Sequence, residues 1–240
     1  MEGTNGGERN PLRESLIEQI RRLRSPGAPI PDALVDVVVD TATPGGGDPV
    51  SVLRPRDWDE LRHQEGAHGQ PAPYWARMWP SGLALADVAA GRDDLDGARV
   101  IELGCGLGVP SIVAARAGAS VLATDGSPDA VAYTAHNLAI NDVTGDVAVV
   151  DWRDSRALVD GAPWDIVLAA DVLYLRHNVD ALLRLLPQLV DPDGVVLLAD
   201  PSRAGGRDFL AAARGTFSIG TQPDPERERV NVHELRRTPR

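Results

Sequence analysis

The segment that most constrains this chain is Val100–Gly108, a short apolar run that ends in three glycines spaced G-x-G-x-G. Pro110 opens a helical stretch straight after it. Glycine has no Cβ, so a turn of this composition can bend tightly and bring bare backbone against a ligand. Spacing restricts the ligand further. A dinucleotide-binding loop carries G-x-G-x-x-G, and here the third glycine comes one residue early.

The surroundings of that loop alternate between strand-like and helix-like runs, the mark of βαβ units and a mainly parallel sheet. Strands are predicted over Arg99–Leu103, Ser120–Thr124, Asp146–Val150, Ile166–Ala170, Val195–Ala199, Thr216–Ile219 and Arg229–Leu235. Helices are predicted over Ser81–Ala90, Pro110–Ala117, Pro128–Ile140, Val179–Leu189 and Arg207–Ala213, with Pro110, Pro128 and Gly118 at their ends as capping rules expect. The fold class is therefore α/β: a doubly wound, mainly parallel seven-stranded sheet with an N-terminal helix and a short strand extension. Residues 1–10 read as a disordered N-terminus, 11–80 as the extension and 81–240 as the main domain. Within the extension, Pro11–Arg24 has Leu12, Leu16, Ile20 and Leu23 at helical spacing and reads as an accessory helix or a lid. Leu34–Val39 and Val50–Leu53 read as a hairpin, and Trp58–Gln70 as polar connection.

Composition bounds the partners. Acidic residues number 35 against 24 basic ones, every one of the latter arginine, for a formal charge of −11. Scattered arginines on an acidic chain argue against nucleic-acid binding. The absence of lysine means that the chain cannot methylate lysine side chains of its own. No run approaches the roughly 20 apolar residues of a membrane span, and the polar start has no signal-peptide pattern. Cys105 is the only cysteine, which excludes an internal disulfide. These features lead us to expect a soluble, cytoplasmic monomer. Cys105 reads as a small buried spacer, since no base adjoins it to activate the thiol. His63, His68, His136, His177 and His233 lack metal-ligand spacing, so no metal is expected and exposed or helix-surface positions are.

In an open α/β sheet, ligands collect beyond the carboxyl ends of the strands. The glycine loop can there wrap the methionine part and ribose of an adenosyl ligand. Glu102 or the loop backbone would hold the amino and carboxylate groups, and Asp125, ending the next strand, suits two vicinal ribose hydroxyls. Asp125 also reads as a helix cap. Asp151 reads equally as an acceptor for the adenine amino group or as a solvated acid, with Trp152 stacking on the ring or packing in the core. The expected cofactor is S-adenosyl-L-methionine, leaving as S-adenosyl-L-homocysteine, on a site of Glu102, Gly104, Cys105, Gly106, Gly108, Asp125, Gly126, Asp151, Trp152 and Ala170.

These residues, with Pro73-Tyr-Trp-Ala-Arg-Met-Trp-Pro-Ser-Gly82, Asp171-Val-Leu-Tyr174 and Ala199-Asp-Pro-Ser-Arg203, resemble the class I seven-β-strand methyltransferases. Within them the resemblance is to the group that methylates lysine on the electron transfer flavoprotein β-subunit, including bacterial members described as nicotinamide N-methylase-like. It runs from about Val50 to the C-terminus. It implies that Trp79 borders the cofactor, that Glu102, Gly104, Asp125 and Asp151 bind it, and that Asp171 and Tyr174 line the path of a substrate lysine. The stretch before Val50 has no counterpart, and Ser202 stands where the group often has glycine.

Methyl transfer to an amine requires an aligned, unprotonated nucleophile. A lysine amine titrates at about 10.4, so the site must strip its proton. Asp171 is the candidate base and Tyr174 an orienting group, although each also reads as a cap and a packing residue. Tyr74, Trp75 and Trp79 could offer aromatic faces to a cation or belong to the core. Asp200 and Arg203 read as substrate-channel residues or as a structural ion pair. The expected activity is N-methylation of a protein lysine, with a small nicotinamide-like amine as the alternative.

Overall fold

A computed structural model describes residues 11–152, 154 and 156–238, so the disorder expected over residues 1–10 falls outside the described residues. The central sheet is built from β3 (Arg99–Leu103), β4 (Ser120–Asp125), β5 (Asp146–Val149), β6 (Trp164–Ala170), β7 (Val190–Asp200), β8 (Phe217–Pro223) and β9 (Asn231–Arg237). Its order is β5-β4-β3-β6-β7-β9-β8, with β9 antiparallel to both neighbours and the other pairs parallel.

Period-two geometry divides the strand residues between two cores. Successive side chains of a strand point to opposite faces. Thus Val100, Ile166, Leu168, Val195 and Leu197 enter one apolar cluster, and Ile101, Leu103, Val167, Ala169, Val196 and Leu198 enter the other. The first face is covered by α4 (Pro80–Ala90), α5 (Val109–Arg116) and α6 (Pro128–Ile140), and the second by α7 (Arg156–Asp160), α8 (Arg176–Leu189) and α9 (Ala204–Ala213). Where both faces are covered, as along Ile166–Ala169 of β6 and Val195–Ala199 of β7, the parallel strands are apolar throughout. The doubly wound, mainly parallel architecture is therefore present.

Ahead of the sheet lie α1 (Pro11–Leu23), α2 (Asp32–Val35), an antiparallel hairpin of β1 (Val37–Ala42) and β2 (Val50–Pro55), and α3 (Trp58–Ala67). Leu16 and Ile20 of α1 are fully buried in the first core. The hairpin is fastened to α6 by two asparagines one helical turn apart. Asn137 exchanges bonds with both backbone groups of Leu53 at 2.7 and 3.1 Å, and Asn141 does so with Ser51 at 2.9 and 2.7 Å. A helical turn of about 6 Å matches two strand residues at about 6.6 Å, so the side-chain amides satisfy an edge that would otherwise be open. Asn137 also donates to Leu107 O at 2.9 Å, which ties this contact to the glycine loop.

Three expectations are corrected. Leu34 lies in α2 rather than in a strand, because Pro31 and Asp32 open a turn that buries Ala33, Leu34 and Val35 together. The expected polar connection at Trp58–Gln70 contains α3, started by Asp57 accepting the Glu60 N–H at 3.0 Å. Its apolar signal is faint because only Leu61 and Glu65 are buried. His136 on α6 and His233 on β9 are buried rather than exposed, and burial lowers the pKa of both.

Candidate active site

Strand order reverses at β3, whose neighbours are β4 on one side and β6 on the other. Such a switch point opens a crevice above the carboxyl ends. The crevice is a cleft of about 960 Å³, large enough for a drug-sized molecule.

One wall is the turn after β3. Gly104 and Gly108 both have φ in the left-handed region, +73° and +76°. A Cβ on Gly104 would lie 2.8 Å from Val172 Cγ1, and one on Gly108 would lie 2.6 Å from Thr134 Cγ2. Both conformation and space thus require glycine. Thr134 supports the turn from α6 by donating to Gly106 O at 2.9 Å. Cys105, between the glycines, is buried, touches Thr134 Oγ1 at 3.4 Å and has its thiol pKa pushed up by burial. Thiolate chemistry is thereby disfavoured.

Asp125 ends β4 with each carboxylate oxygen fixed by a backbone amide: Gly106 N–H at 3.0 Å on one and Ser127 N–H at 2.8 Å on the other. Burial nevertheless raises its pKa. Each oxygen keeps a lone pair for a further donor, which suits a vicinal diol. Glu102 is 1% exposed and accepts from the Ser111 N–H at 3.0 Å and from the Ser111 hydroxyl. Burial pushes its pKa from 4.5 up to about 8. Gly126, Asp151, Trp152 and Ala170 line the same cleft. Trp152 lies over Gly104, and its indole N–H is buried without a protein acceptor.

The opposite wall consists of side chains. Asp171 follows β6 with φ +56°, a left-handed position that a non-glycine residue occupies at a cost and that often marks functional sites. Its carboxylate pairs with Arg203 at 2.8 Å. Burial and the nearby Asp200 raise its pKa, outweighing the lowering by Arg203. Tyr174 is 46% exposed and Tyr74 48%, with ring centres 5.8 Å apart. Tyr74 continues to Trp79 at 6.3 Å, and its carbonyl accepts the Trp79 indole N–H at 2.6 Å. Trp75 lines the cleft too, but packs at 5.0 Å on buried Tyr133 and serves the core as well. Among the expected residues, only Asp200 and Arg203 do not line the cleft. Asp200 is buried and accepts the Arg203 N–H at 3.1 Å at the start of α9, and Arg203 reaches the cleft through Asp171.

The sequence reading missed Arg77, stacked between Trp58 and Trp79 at 5.2 and 5.3 Å, and the cleft-lining Arg24, Glu65 and Asp129. Only Arg77, inside the aromatic motif, carried a local signal. Among the described residues, no group of three or more His, Cys, Asp and Glu side chains could hold a metal ion. No helix among them is long and apolar enough to cross a membrane.

Comparison with known proteins supplies the family. Residues 67–214, more than half of the chain, match the model of the lysine methyltransferase family. The protein N-lysine methyltransferase METTL21A of Danio rerio is 36% identical over 151 residues, which are 60% of this chain and 69% of that protein. The electron transfer flavoprotein beta subunit lysine methyltransferase of Danio rerio is 36% identical over 141 residues, 58% of this chain and 54% of that one. The match thus spans only about half of the latter's length. Among solved structures, a T. thermophilus 16S rRNA methyltransferase in complex with AdoMet and guanosine superposes with a TM-score of 0.63 at 18% identity, covering 90% of this chain and 53% of that one. Fold, glycine turn and family model converge: the chain belongs to the lysine methyltransferase family, built on the S-adenosylmethionine-dependent seven-stranded fold.

Proposed function

We propose that this protein transfers the methyl group of S-adenosyl-L-methionine to the side-chain amine of a lysine in a protein substrate. The observation that carries the reading is the meeting, in one cleft, of a backbone-built adenosyl cradle and a largely buried carboxylate on strained backbone, Asp171. The names of the relatives point the same way.

When bound, the cofactor supplies a methyl group activated on a sulfonium. Gly104, Gly106 and Gly108 would hold its methionine part, Asp125 its ribose hydroxyls, and Asp151 and Trp152 its adenine, with Glu102, Gly126, Ala170 and Trp79 completing the walls. Asp171 would take the proton that the lysine ammonium must lose to free its lone pair. Its raised pKa makes it a stronger base than an ordinary carboxylate. Arg203 fixes the orientation of Asp171, and Asp200 holds Arg203 from behind. Tyr174, Tyr74 and Trp79 present ring faces to the incoming cation. The exposure of Tyr74 and Tyr174 at the mouth favours an amine carried on a macromolecule over a small enclosed one. A reducing, cytoplasmic setting suits the lone buried cysteine.

The test is to incubate the purified protein and methyl-labelled cofactor with a lysate lacking this enzyme, then separate protein-bound from small-molecule label. Label recovered as methylated lysine in protein is expected. Label confined to small molecules, or carried by other residues, overturns the reading. Because the chain has no lysine, its own side chains add no methyl-lysine background.

A further inference from the structure

The N-terminal extension forms part of the cleft. Arg24, just beyond α1, and Glu65 on α3 line the same space as Asp125. Arg24 is also bound to the first turn of α6, which follows Asp125 at the end of β4. Its Nε donates to Asp129 Oδ1 at 2.7 Å and its Nη2 to Asp129 Oδ2 at 2.5 Å, a two-pronged pair across 105 residues of sequence. Nη2 also donates to Glu65 Oε1 at 2.6 Å, and Nη1 to the Pro29 carbonyl. All three charged side chains are largely buried, with 12%, 6% and 9% exposure for Arg24, Glu65 and Asp129.

We propose that Arg24 is a positioning residue for the cofactor: it latches the extension onto the first turn of α6, four residues past Asp125, and holds that wall of the cleft in place beside the adenosyl group. This rests on the cofactor site described above. Only Gly126 and Ser127 separate Asp125 from Pro128, the first residue of α6; the glycine turn and Ser127 pin the Asp125 end of this connection, and Arg24 pins the other through Asp129 in the first turn of the helix. A planar guanidinium on a carboxylate fixes angle as well as distance, which a lysine would not. One cation between two buried carboxylates contributes little net stability, since the desolvation of three charges offsets their attraction. What the arrangement does specify is geometry. Without Arg24, Glu65 on α3 and Asp129 on α6 face each other as uncompensated negative charges, and the seam between extension and α6 opens beside the ribose site.

The experiment measures S-adenosylhomocysteine affinity by calorimetry and its dissociation rate by tryptophan fluorescence, on the full chain well below its melting temperature. Arg24→Ala is expected to weaken binding about tenfold, the scale of one charge-assisted hydrogen bond, with the loss in the dissociation rate. Arg24→Lys should fall between, and Arg24→Ala with Glu65→Gln should recover part of the loss. Tyr133→Phe removes a separate tie between α6 and the extension, the hydroxyl donated to Leu34 O, at residues that do not line the cleft. It should lower the melting temperature and leave dissociation unchanged. The proposal is overturned if Arg24→Ala releases the product at the wild-type rate, or if Tyr133→Phe accelerates release as much. Should Arg24→Ala not fold, Arg24→Lys carries the same comparison. A wild-type chain that ignores the compound contradicts the cofactor site itself, a result separate from failure of the latch.

Discussion

The two walls of the cleft are made differently. On the side of β3 and β4, shape is set by backbone: left-handed glycines, amide donors on Asp125 and a threonine from α6 filling the space behind. On the side of β6, shape is set by side chains from separated segments, Tyr74 and Trp79 before α4 and Asp171 and Tyr174 after β6, with Arg203 before α9 behind Asp171. A backbone wall tolerates no added atom and suits a ligand that never changes. An aromatic rim can be altered one side chain at a time and suits a ligand that differs between relatives.

The largest effect should separate the walls by function. Asp171→Asn is nearly isosteric, and asparagine accepts left-handed backbone well. Turnover should fall about 10²–10⁴-fold while S-adenosylhomocysteine affinity stays at the wild-type value. In the wild type, a base must be unprotonated, so turnover should rise with pH through the raised pKa of Asp171, and the variant should lose that limb. Equal losses of binding and turnover would contradict the division.

Next comes Gly108→Ala on the backbone wall. The left-handed conformation costs about 1–2 kcal/mol for alanine and overpacking against Thr134 about 1–3 kcal/mol. Melting should drop by about 5–15 °C, with cofactor binding lost. A variant that melts and binds as wild type would show that the wall yields. Asp125→Ala should weaken cofactor affinity about 10–100-fold by titration, since it removes charge-assisted bonds and frees the Gly106 amide. Unchanged affinity would remove Asp125 from the site.

The contrast also explains what could be read from sequence. Turn glycines, the acid ending β4 and the strand alternation are local signals, each fixed by a few adjacent residues, so the β3–β4 wall was legible. The ion network of Arg24, Glu65 and Asp129 joins residues 41 and 105 positions from Arg24, and no periodicity encodes such a meeting. α3 escaped notice because it buries so narrow a stripe, and buried His233 because its Thr221 partner, at 2.9 Å, lies on another strand. Asn137 and Asn141 did stand one turn apart in sequence, yet their strand partners are 84 and 90 residues away.

The smallest expected effect concerns Glu102. Its folded pKa of about 8 lies above its ordinary 4.5, so between those values the folded protein keeps a proton that the unfolded chain has released. Its contribution to stability is therefore full below about 4.5 and is lost as pH rises through about 8. Glu102→Gln keeps the neutral shape, and its melting temperature should gain on the wild type as pH increases across that window. A constant difference would show that the carboxylate is charged in the fold.

Both walls have a function only if the turn from Gly104 to Gly108, with Asp125 beside it, binds S-adenosylmethionine. Calorimetric titration of the purified wild-type chain with S-adenosylhomocysteine tests it most directly. Saturable binding of one molecule per chain is expected. A flat titration with protein shown to be folded would contradict it.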